Sequence, residues 1–318
     1  MSAISRRTVL LTGLLAPTIA YGQHFPSRPV TIITPFAPGA SSDGVARIMG
    51  EKLAQLLGQP FVVENRPGAG GTTGLIALAR SSADGHTIGI GATGALVINP
   101  HVPEASANFE PLRELTPIAK LVDIPLVLVA NPGAGVRSLK ELIDRSQQKT
   151  DGFSYGSTGV NSSQHLAIEL VKKATKANLV HVPYRGSAPA MTDVLGGQIP
   201  LCSVDLTSAH PHIKAGKVVP LAIMSARRVD FVPDIPTFAE QGVPNVEVSA
   251  WLGMLGPAGI PNDIVVRVSE HIKTSLADSM VRERVRQISC VDAYLDSSDF
   301  SAFLQSQSAK MRDLVRSG

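Results

Sequence analysis

Three turns rich in Gly, Ser and Thr contain the residues of this 318-residue chain that are best suited to binding chemistry. The first runs from Pro35 to Asp43, the second from Glu64 to Gly74, and the third from Tyr155 to His165. Each turn follows an apolar β-rich run and precedes a helical pattern, so its small residues bring backbone N–H groups to the start of a helix. Such a helix start favours an anion. The pattern therefore predicts a carboxylate site built from backbone amides and hydroxyls.

Two charged residues beside these turns allow a second interpretation. Asp43 is suited to capping the first turn of the helix that follows it, a role that needs no ligand. Arg66 could bind a carboxylate through both nitrogens of its guanidinium group, or it could pair with the neighbouring Glu64. The sequence leaves both alternatives open.

An exported α/β hydrolase-like enzyme is the alternative function for the third turn. Ser162 or Ser163, together with His165 and Asp205, supplies the residue types of a catalytic triad. The Gly-x-Ser-x-Gly motif that places such a serine on a strand-to-helix turn is absent here. We therefore predict no catalytic residues and expect binding to be the main function.

The segment from Gly89 to Gly94 has the glycine spacing of a dinucleotide-binding loop, which would indicate an NAD-type oxidoreductase. Gly89 lies within a predicted strand, however, and no helical pattern opens at Gly94. His210 and His212 lack the Asp, Glu or Cys neighbours that a metal site needs. We predict neither a cofactor nor a metal ion.

Composition argues against nucleic acid as a partner. The chain has 29 basic and 26 acidic residues, a net charge of +3, and 4% aromatic residues. Binding of single strands needs aromatic side chains interleaved with Lys and Arg, and the aromatic residues here are scattered. Cys202 and Cys290 match neither a disulfide framework nor a metal-ligand spacing. We interpret them as buried thiols, with a disulfide as the open alternative.

Residues 1–22 have the pattern of an export signal. Arg6 and Arg7 precede an apolar run over residues 9–20, which is shorter than the roughly 20 residues that a bilayer-spanning helix needs. A small-x-small site at Ala20-Tyr21-Gly22 would release the mature chain. We predict localisation in the periplasm, reached by either the general or the twin-arginine route, without a lipid anchor. A buried N-terminal helix is the alternative, which an internal Gly and Pro disfavour.

Apolar β-rich runs and helical patterns alternate along the remaining chain. The predicted strands run from Val30 to Thr34, Phe61 to Glu64, Thr87 to Ile90, Phe153 to Tyr155, Leu179 to Val182 and Ile199 to Val204. The predicted helices run from Asp43 to Leu57, Thr72 to Ala79, Leu139 to Ser146, Ser163 to Lys173, Ala188 to Leu195, Ser208 to Ala215, Asp263 to Ala277 and Phe300 to Val315. The alternation predicts a largely parallel sheet flanked by helices, with its binding crevice beyond the carboxyl ends of the strands.

Two further apolar strands mark a change in this order, from Ile124 to Ala130 and from Val219 to Met224. We interpret both as crossings, because a second series of strands and helices begins at the first and ends at the other. The prediction is an α/β fold of two lobes joined by a hinge of two crossing strands. The first lobe contains residues 23–123 and 226–318, and the second contains residues 124–225.

A collinear series of motifs runs over the whole mature chain. It comprises Pro35 to Asp43, Val63 to Gly71, Asp84 to Thr87, Tyr155 to Leu166, His181 to Gly186, Asp193 to Gly197, Lys214 to Lys217, Pro233 to Thr237, Trp251 and Gly256 to Gly259. With these motifs the chain resembles the substrate-binding proteins of tripartite tricarboxylate transporters, often called Bug receptors. The resemblance implies a two-lobed, type II-like periplasmic binding protein that closes on a di- or tricarboxylate, an acidic amino acid or an aromatic acid. It also implies integral membrane permease subunits as partners, and we expect a monomer.

The resemblance further implies which residues contact the ligand. They are Pro38, Gly39, Ala40, Ser41, Gly70, Gly71, Thr72, Ala92, Thr93, Gly94, Ser157, Thr158, Gly159, Asn161 and Ser162. Asp205 matches an acidic position that meets a ligand amino or hydroxyl group in some relatives, with helix capping as the alternative. Relatives often have Gly where this chain has Ala40, so we expect the turn at Ala40 to be altered. They often have Tyr where this chain has His86, and we expect His86 to lie away from the cleft. Backbone amides bind carboxylates generically, so the identity of the ligand stays open.

Overall fold

The structure, a computed structural model, describes residues 25–317 except 103–108, 245, 247 and 249, so the predicted export signal lies outside the described residues. The strands are β1 (Val30–Thr34), β2 (Phe61–Asn65), β3 (Thr87–Ala92), β4 (Leu115–Ile124), β5 (Leu126–Ala130), β6 (Phe153–Ser157), β7 (Leu179–Pro183), β8 (Leu201–Asp205), β9 (Val219–Ile223), β10 (Ala250–Pro257) and β11 (Val291–Leu295). The helices are α1 (Ser41–Leu57), α2 (Thr72–Ala79), α3 (Pro111–Glu114), α4 (Leu139–Gln148), α5 (Ser163–Thr175), α6 (Ser187–Leu195), α7 (Leu206–Lys214), α8 (Asn262–Ala277), α9 (Ser279–Gln287) and α10 (Ser297–Ser317). Every helix in this described part of the chain is too short or too polar to cross a lipid bilayer.

The first strand and helix show how the sequence positions a turn. β1 has the β-branched sequence Val-Thr-Ile-Ile-Thr and is buried at four of its five positions. In α1, the buried residues Val45, Ile48, Met49 and Leu53 recur at intervals of three and four, which places them on one face of the helix. α1 ends at Gly58, whose φ of 74° lies in the left-handed region that glycine adopts without strain. The turn between β1 and α1 is thus held by buried elements on both sides.

The strands form two mixed sheets, one per lobe. The first sheet has the order β11-β4-β10-β3-β1-β2 and the second has the order β7-β6-β8-β5-β9. Parallel pairs join β1 to β2 and β3, and β6 to β7 and β8. β10 and β5 run antiparallel to their neighbours, because each enters its sheet from the other lobe. The expected parallel order therefore holds for one half of each sheet only.

The chain passes between the lobes twice. At the first crossing, β4 ends in one sheet and β5 begins in the other, with only Pro125 between them. The second crossing connects β9 to β10 through residues 224–249. These two sheets with their crossings confirm the predicted two-lobed, type II-like α/β fold. The lobe boundaries at residues 123/124 and 225/226 stay a prediction.

The C-terminal helix α10 completes the core of the first lobe. Phe300 and Phe303 of α10 lie edge-on to Trp251 of β10, with ring centroids 5.6 and 5.3 Å from the indole. Such aromatic pairs contribute about 0.5–1.5 kcal/mol beyond the burial of their area. Trp251 and Phe300 are fully buried. This contact fixes β10 between β3 and β4.

The two cysteines lie in different environments and are both buried and unpaired, which confirms the buried-thiol interpretation. Cys202 Sγ lies 3.4 Å from Met191 Sδ within the second lobe. Cys290 Sγ lies 3.7 Å from Thr207 Oγ1, at a contact between α7 and the turn after α9.

Candidate functional site

A cavity lies between the two sheets, where strand ends of both lobes face each other. Its volume is about 30 Å³. The cavity is lined by Phe36, Ala40, Ser41, Ser42, Gly70, Ala92, Thr93, Gly94, Ile124, Thr158, Ser162, Ser163, Gln164, Ser187, Asp205, Ala250, Trp251 and Leu252. Among the residues that the structure describes, no Lys, Arg or His belongs to this lining. An anion in the cavity would therefore be bound by neutral hydrogen-bond donors.

Helix starts from both lobes border the cavity. α1 begins at Ser41, α5 at Ser163 and α6 at Ser187, and all three residues line the cavity. The residues that precede α1 and α6, Ala40 and Gly186, provide no side-chain cap of their own. Because the first four N–H groups of a helix lack partners within it, they bind acceptors from outside. Their partial positive charge favours an anionic acceptor.

The first-lobe turn is held in place by the carboxylate of Asp43. Its Oδ2 accepts from the Gly39 amide at 3.3 Å, and both of its oxygens accept from Arg47 at 2.9 and 3.0 Å. Asn65 Nδ2 donates to Asp43 Oδ1 and to Phe36 O. Burial raises the pKa of Asp43, but the hydrogen bonds from Arg47, Asn65 and Gly39 outweigh it, so the pKa lies below its usual value. Asp43 is thus a first-turn acid that fixes the turn.

Ala40 occupies its turn without backbone strain. Its φ of −114° and ψ of −176° are extended values that any residue adopts. The preceding Gly39 has a φ of 90°, and this is the position that favours glycine. Alanine is therefore tolerated at residue 40 without strain, and a changed hold on the ligand at this turn stays a prediction.

Asp205 joins the two lobes across the cavity. Its Oδ1 accepts from the Ser208 amide at 3.0 Å, which caps α7. Its Oδ2 accepts from the amide and the hydroxyl of Ser41 in the other lobe, at 3.1 and 2.7 Å. The residue is 3% exposed. Capping of α7 is confirmed, and the same carboxylate also occupies donors at the start of α1.

The second-lobe turn over residues 157–162 is tied down by its own side chains. Ser162 Oγ donates to Gly159 O at 2.8 Å and caps α5 by accepting from the His165 amide. The Asn161 amide donates to His165 Nδ1 at 3.1 Å, and Asn161 has a φ of 58°. Ser157 Oγ lies 2.7 Å from His181 Nε2. The turn therefore has a defined shape before any ligand arrives.

Glycines allow the backbones of the two lobes to touch beside the cavity. A Cβ at Gly159 would lie 3.1 Å from Gly70 Cα, and one at Gly70 would lie 2.7 Å from Val160 O. A Cβ at Gly94 would lie 2.9 Å from Asn161 O. A direct hydrogen bond from Ala37 N to Arg185 O, 3.1 Å long, adds to these contacts between the lobes. The structure thus represents the closed arrangement.

Some of the ligand-contact residues predicted from the sequence line the cavity, and others do not. Those that line it are Ala40, Ser41, Gly70, Ala92, Thr93, Gly94, Thr158, Ser162 and Asp205. The others, which lie in the same segments but not in the lining, are Pro38, Gly39, Gly71, Thr72, Ser157, Gly159 and Asn161. Contact of either group with a ligand stays a prediction.

Outside the predicted turns, sequence reasoning missed three parts of the lining, the first of which is Ile124 at the end of β4. Ser187 starts α6 directly after Gly186, so the strand-to-helix turn argument applied to the other turns could have found it. Ala250, Trp251 and Leu252 lie on β10, which was not predicted as a strand. Their place in the wall follows only from the insertion of β10 between β3 and β4.

Two lining residues have buried polar atoms without a hydrogen-bond partner, Ser42 Oγ and Trp251 Nε1. A buried donor left unpaired costs about 1–3 kcal/mol. Acceptor oxygens of a bound molecule would recover this free energy. The two atoms therefore favour a ligand with acceptors on the first-lobe side of the cavity.

The residues of the alternative catalytic triad are engaged elsewhere. Ser162 Oγ bonds backbone groups of the turn and of α5, and His165 Nδ1 bonds the Asn161 amide. Asp205 bonds Ser41 and Ser208 rather than a histidine. The structure thus does not bring Ser162, His165 and Asp205 together as a hydrogen-bonded triad.

Other sequence alternatives also find a structural explanation. Arg66 Nε donates to Glu64 Oε1 at 2.7 Å, so Arg66 forms the salt bridge rather than lining the cavity. At Gly91, a Cβ would collide with Leu255, so close packing explains this glycine of the Gly89–Gly94 segment.

Within the described ranges of the chain, no cluster of three His, Cys, Asp or Glu side chains could hold a metal ion. His86 contacts Phe25 and Ser27, away from the cavity as expected.

Comparison with known families gives one extensive match. The model described as "Tripartite tricarboxylate transporter family receptor" matches residues 45–317.

Solved structures of similar sequence share the fold over nearly their full length. The periplasmic binding protein BugD is 32% identical, with a TM-score of 0.87 over 92% of this chain and 98% of its own. A protein of R. palustris solved with adipate is 30% identical, with a TM-score of 0.86 over 92% and 97%. MatC of Rhodopseudomonas palustris, solved with bound malate, is 30% identical, with a TM-score of 0.85 over 92% and 100%.

Proposed function

This chain belongs to the tripartite tricarboxylate transporter receptor family, and we propose that it captures a small carboxylate between its lobes and delivers it to a membrane transporter. The family is one of periplasmic solute-binding receptors. The observation that carries the proposal is the cavity between the lobes, which the described residues line with helix starts and hydroxyls from both lobes and with no cationic side chain. Adipate and malate in the similar structures support a ligand of this chemical class.

Backbone amides and hydroxyls hold the carboxylate in this proposal. The start of α1 and the unpaired Ser42 hydroxyl provide donors from the first lobe. Thr158, Ser162 and the start of α5 provide them from the second. Hydrogen bonds to a charged group contribute about 1.5–3 kcal/mol each, so a few of them give useful affinity without a salt bridge. Recognition by neutral donors suits a receptor that must also release its ligand.

Closure of the two lobes is the proposed signal to the transporter. Ligand contacts from both lobes form together only in the closed state, so the ligand shifts the population towards closure. Membrane permease subunits are the proposed partners, and export of the chain through residues 1–22 places it in the periplasm. We propose that the receptor acts as a monomer and without catalysis.

The single tryptophan provides a direct test of binding. Trp251 lines the cavity and its indole N–H has no partner, so a carboxylate in the cavity should change its fluorescence. We expect one class among mono-, di- and tricarboxylates, amino acids and aromatic acids to change the emission. The same class should raise the unfolding temperature, because ligand at a hundred times its Kd stabilises the folded state by about 2.7 kcal/mol.

The control is Trp251→Phe, which keeps an aromatic ring at the contact with Phe300. This variant should lose the fluorescence signal and retain a smaller thermal stabilisation, because the indole donor is removed and the other donors of the cavity remain. If no compound of the panel stabilises protein that has been unfolded and refolded to strip bound ligand, the proposed function is wrong.

A further inference from the structure

Two histidines lie directly beneath the second-lobe turn over residues 157–162. The rings of His165 on α5 and His181 on β7 are stacked, with centroids 4.1 Å apart. His181 also lies against Tyr155, at 5.1 Å between ring centroids. Both histidines are outside the cavity lining, so neither is placed to contact a ligand itself.

Each histidine bonds one end of the turn. His181 Nε2 lies 2.7 Å from Ser157 Oγ, and this hydroxyl also accepts from the Gly159 amide at 3.1 Å. His165 Nδ1 accepts from the Asn161 amide at 3.1 Å. Thr158 and Ser162, which line the cavity, lie between these two anchored points. The geometry of the lining residues therefore depends on the pair of rings.

The bond to Asn161 requires an uncharged His165. A histidine nitrogen accepts a hydrogen bond only when it carries no proton, and both nitrogens are protonated in the charged ring. Protonation at Nδ1 would place two donors face to face at the Asn161 amide. Asn161 has a φ of 58°, a left-handed conformation that costs free energy in a residue other than glycine. Loss of its amide partner therefore removes one constraint that keeps this conformation.

Charged groups on both sides of the stack set its titration. Glu169 Oε1 lies 3.7 Å from His165 Nε2, and the same carboxylate accepts from Lys172 at 2.8 Å and from the Tyr155 hydroxyl at 3.0 Å. Burial lowers the pKa of His165 below its usual value, although Glu169 opposes this. Burial and the neighbouring His165 lower the pKa of His181 to about 4. Both rings are therefore uncharged at neutral pH and become charged only on acidification.

We propose that His165 is a positioning residue that holds the turn over residues 157–162 in its ligand-binding shape only while its ring is uncharged, and that His181, stacked on it, is the second anchor of the turn at Ser157. This inference rests on the proposed function, in which that turn binds a carboxylate. Acidification then weakens binding, because the turn loses its anchor at Asn161. The contact of His181 with Ser157 persists, since a charged ring can still donate to the hydroxyl oxygen. A charged ring would also attract the carboxylate through space, so the sign of the pH effect separates positioning from simple attraction.

The first test needs no ligand. NMR spectra of the protein purified from the periplasm follow the ring of His165 and the amide of Asn161 from pH 8 to pH 4. We expect both to titrate together in the wild type. In His165→Asn the side-chain oxygen replaces Nδ1 as acceptor, so the Asn161 amide should keep its position and no longer titrate with residue 165. In His165→Leu the amide should shift even at pH 7.5.

The second test measures the affinities for malate and for adipate by calorimetry at pH 7.5 and pH 4.5. At pH 7.5, His165→Leu should bind about fivefold to tenfold more weakly than the wild type, and His165→Asn should bind within about twofold of it. On acidification the wild type should lose at least about fivefold relative to His165→Asn. This ratio cancels the protonation of the ligand itself. His86→Asn, a change away from the cavity, should follow the wild type.

The outcomes separate this inference from the proposed function. If neither malate nor adipate binds, these two ligands are excluded and the proposed function loses its support. The NMR titration still decides whether His165 anchors the turn. The inference is overturned if the chemical shift of the Asn161 amide does not change when the ring of His165 titrates. It is also overturned by an affinity ratio that is constant with pH, or by wild-type binding that tightens in acid relative to His165→Asn.

Discussion

The polar atoms around the cavity are neutral apart from one carboxylate, and this has consequences for specificity. Asp205 introduces a negative charge into a site that favours anions. Its two oxygens already accept three hydrogen bonds, from Ser208 and twice from Ser41, which stabilises the charge in a buried position. A ligand carboxylate must lie away from Asp205 and near the donors of the helix starts. A ligand hydroxyl or amino group is the natural neighbour for the remaining acceptor capacity of Asp205.

Among the single residues, the two cysteines should not react with thiol reagents in the folded protein. Burial raises the pKa of Cys290 to about 12 and also raises the pKa of Cys202. The thiolate is the reactive form, so at pH 8 both groups are protonated as well as inaccessible. We expect Ellman's reagent to label neither cysteine in the native protein and both in concentrated guanidinium chloride.

The variants Cys202→Ala and Cys290→Ala assign any signal to one position. Labelling of the native protein would mean that one thiol becomes exposed. We would then expect Cys290 to be the labelled residue, because it lies at the contact between α7 and the turn after α9. An absence of free thiols after unfolding would instead show that the two cysteines are oxidised.

Among the elements, the short helical segment Gly94–Ile98 offers the sharpest test of lobe closure. It begins just after β3, so the expectation that no helix opens at Gly94 was wrong. The φ of Gly94 is outside the left-handed region, so alanine fits its backbone. Its Cβ would lie 2.9 Å from Asn161 O and 3.0 Å from Ser162 Cα in the other lobe. Overpacking of this kind costs about 1–3 kcal/mol. We therefore expect Gly94→Ala to weaken carboxylate binding at least about tenfold, as measured by calorimetry.

A matched control is Gly196→Ala at the end of α6. Gly196 has a φ of −77°, and the nearest atom to its Cβ would be Thr192 O at 3.4 Å, an ordinary contact. This variant should bind as the wild type does. Equal affinities in Gly94→Ala and Gly196→Ala would mean that the lobes need not approach as closely as the structure shows.

The elements that sequence reasoning found are those with a regular pattern. β1 was predicted because its residues are β-branched. α1 was predicted almost to its ends because its apolar residues recur on one face of the helix. β10 was missed, since its sequence Ala-Trp-Leu-Gly-Met-Leu-Gly-Pro contains two glycines and a proline that indicate loops. α9 was missed because only Val281 and Val285 are apolar and buried.

The same distinction applies to the candidate site. Turns between a strand and the next helix are local, so Ser41, Thr158 and Ser162 could be predicted from their own segments. Trp251 belongs to the site because a strand that follows the second crossing is inserted between β3 and β4. Such an insertion depends on contacts between segments far apart in sequence, which no local pattern reveals.

For the whole molecule, the bond between Asp205 and Ser41 bears on the resting state of the receptor. Both residues are buried, they belong to different lobes, and the Ser41 hydroxyl is 2.7 Å from the carboxylate. Without a ligand, this charge-assisted pair stabilises closure, because it bonds the start of α1 to the other lobe. Bonds to a charged group contribute about 1.5–3 kcal/mol, enough to shift a two-state equilibrium by a factor of about ten or more.

Asp205→Asn should therefore open the ligand-free receptor. An asparagine oxygen can still cap α7 at Ser208, and its NH₂ group then faces the Ser41 amide and hydroxyl in place of an acceptor. We expect small-angle X-ray scattering to give a larger radius of gyration for this variant than for the wild type. Asp193→Asn is the control, because Asp193 bonds Tyr184 within the second lobe. If Asp205→Asn scatters like the wild type and Asp193→Asn, the closure contacts at Gly70, Gly94 and Ala37 suffice without the carboxylate, and Asp205 serves only to cap α7.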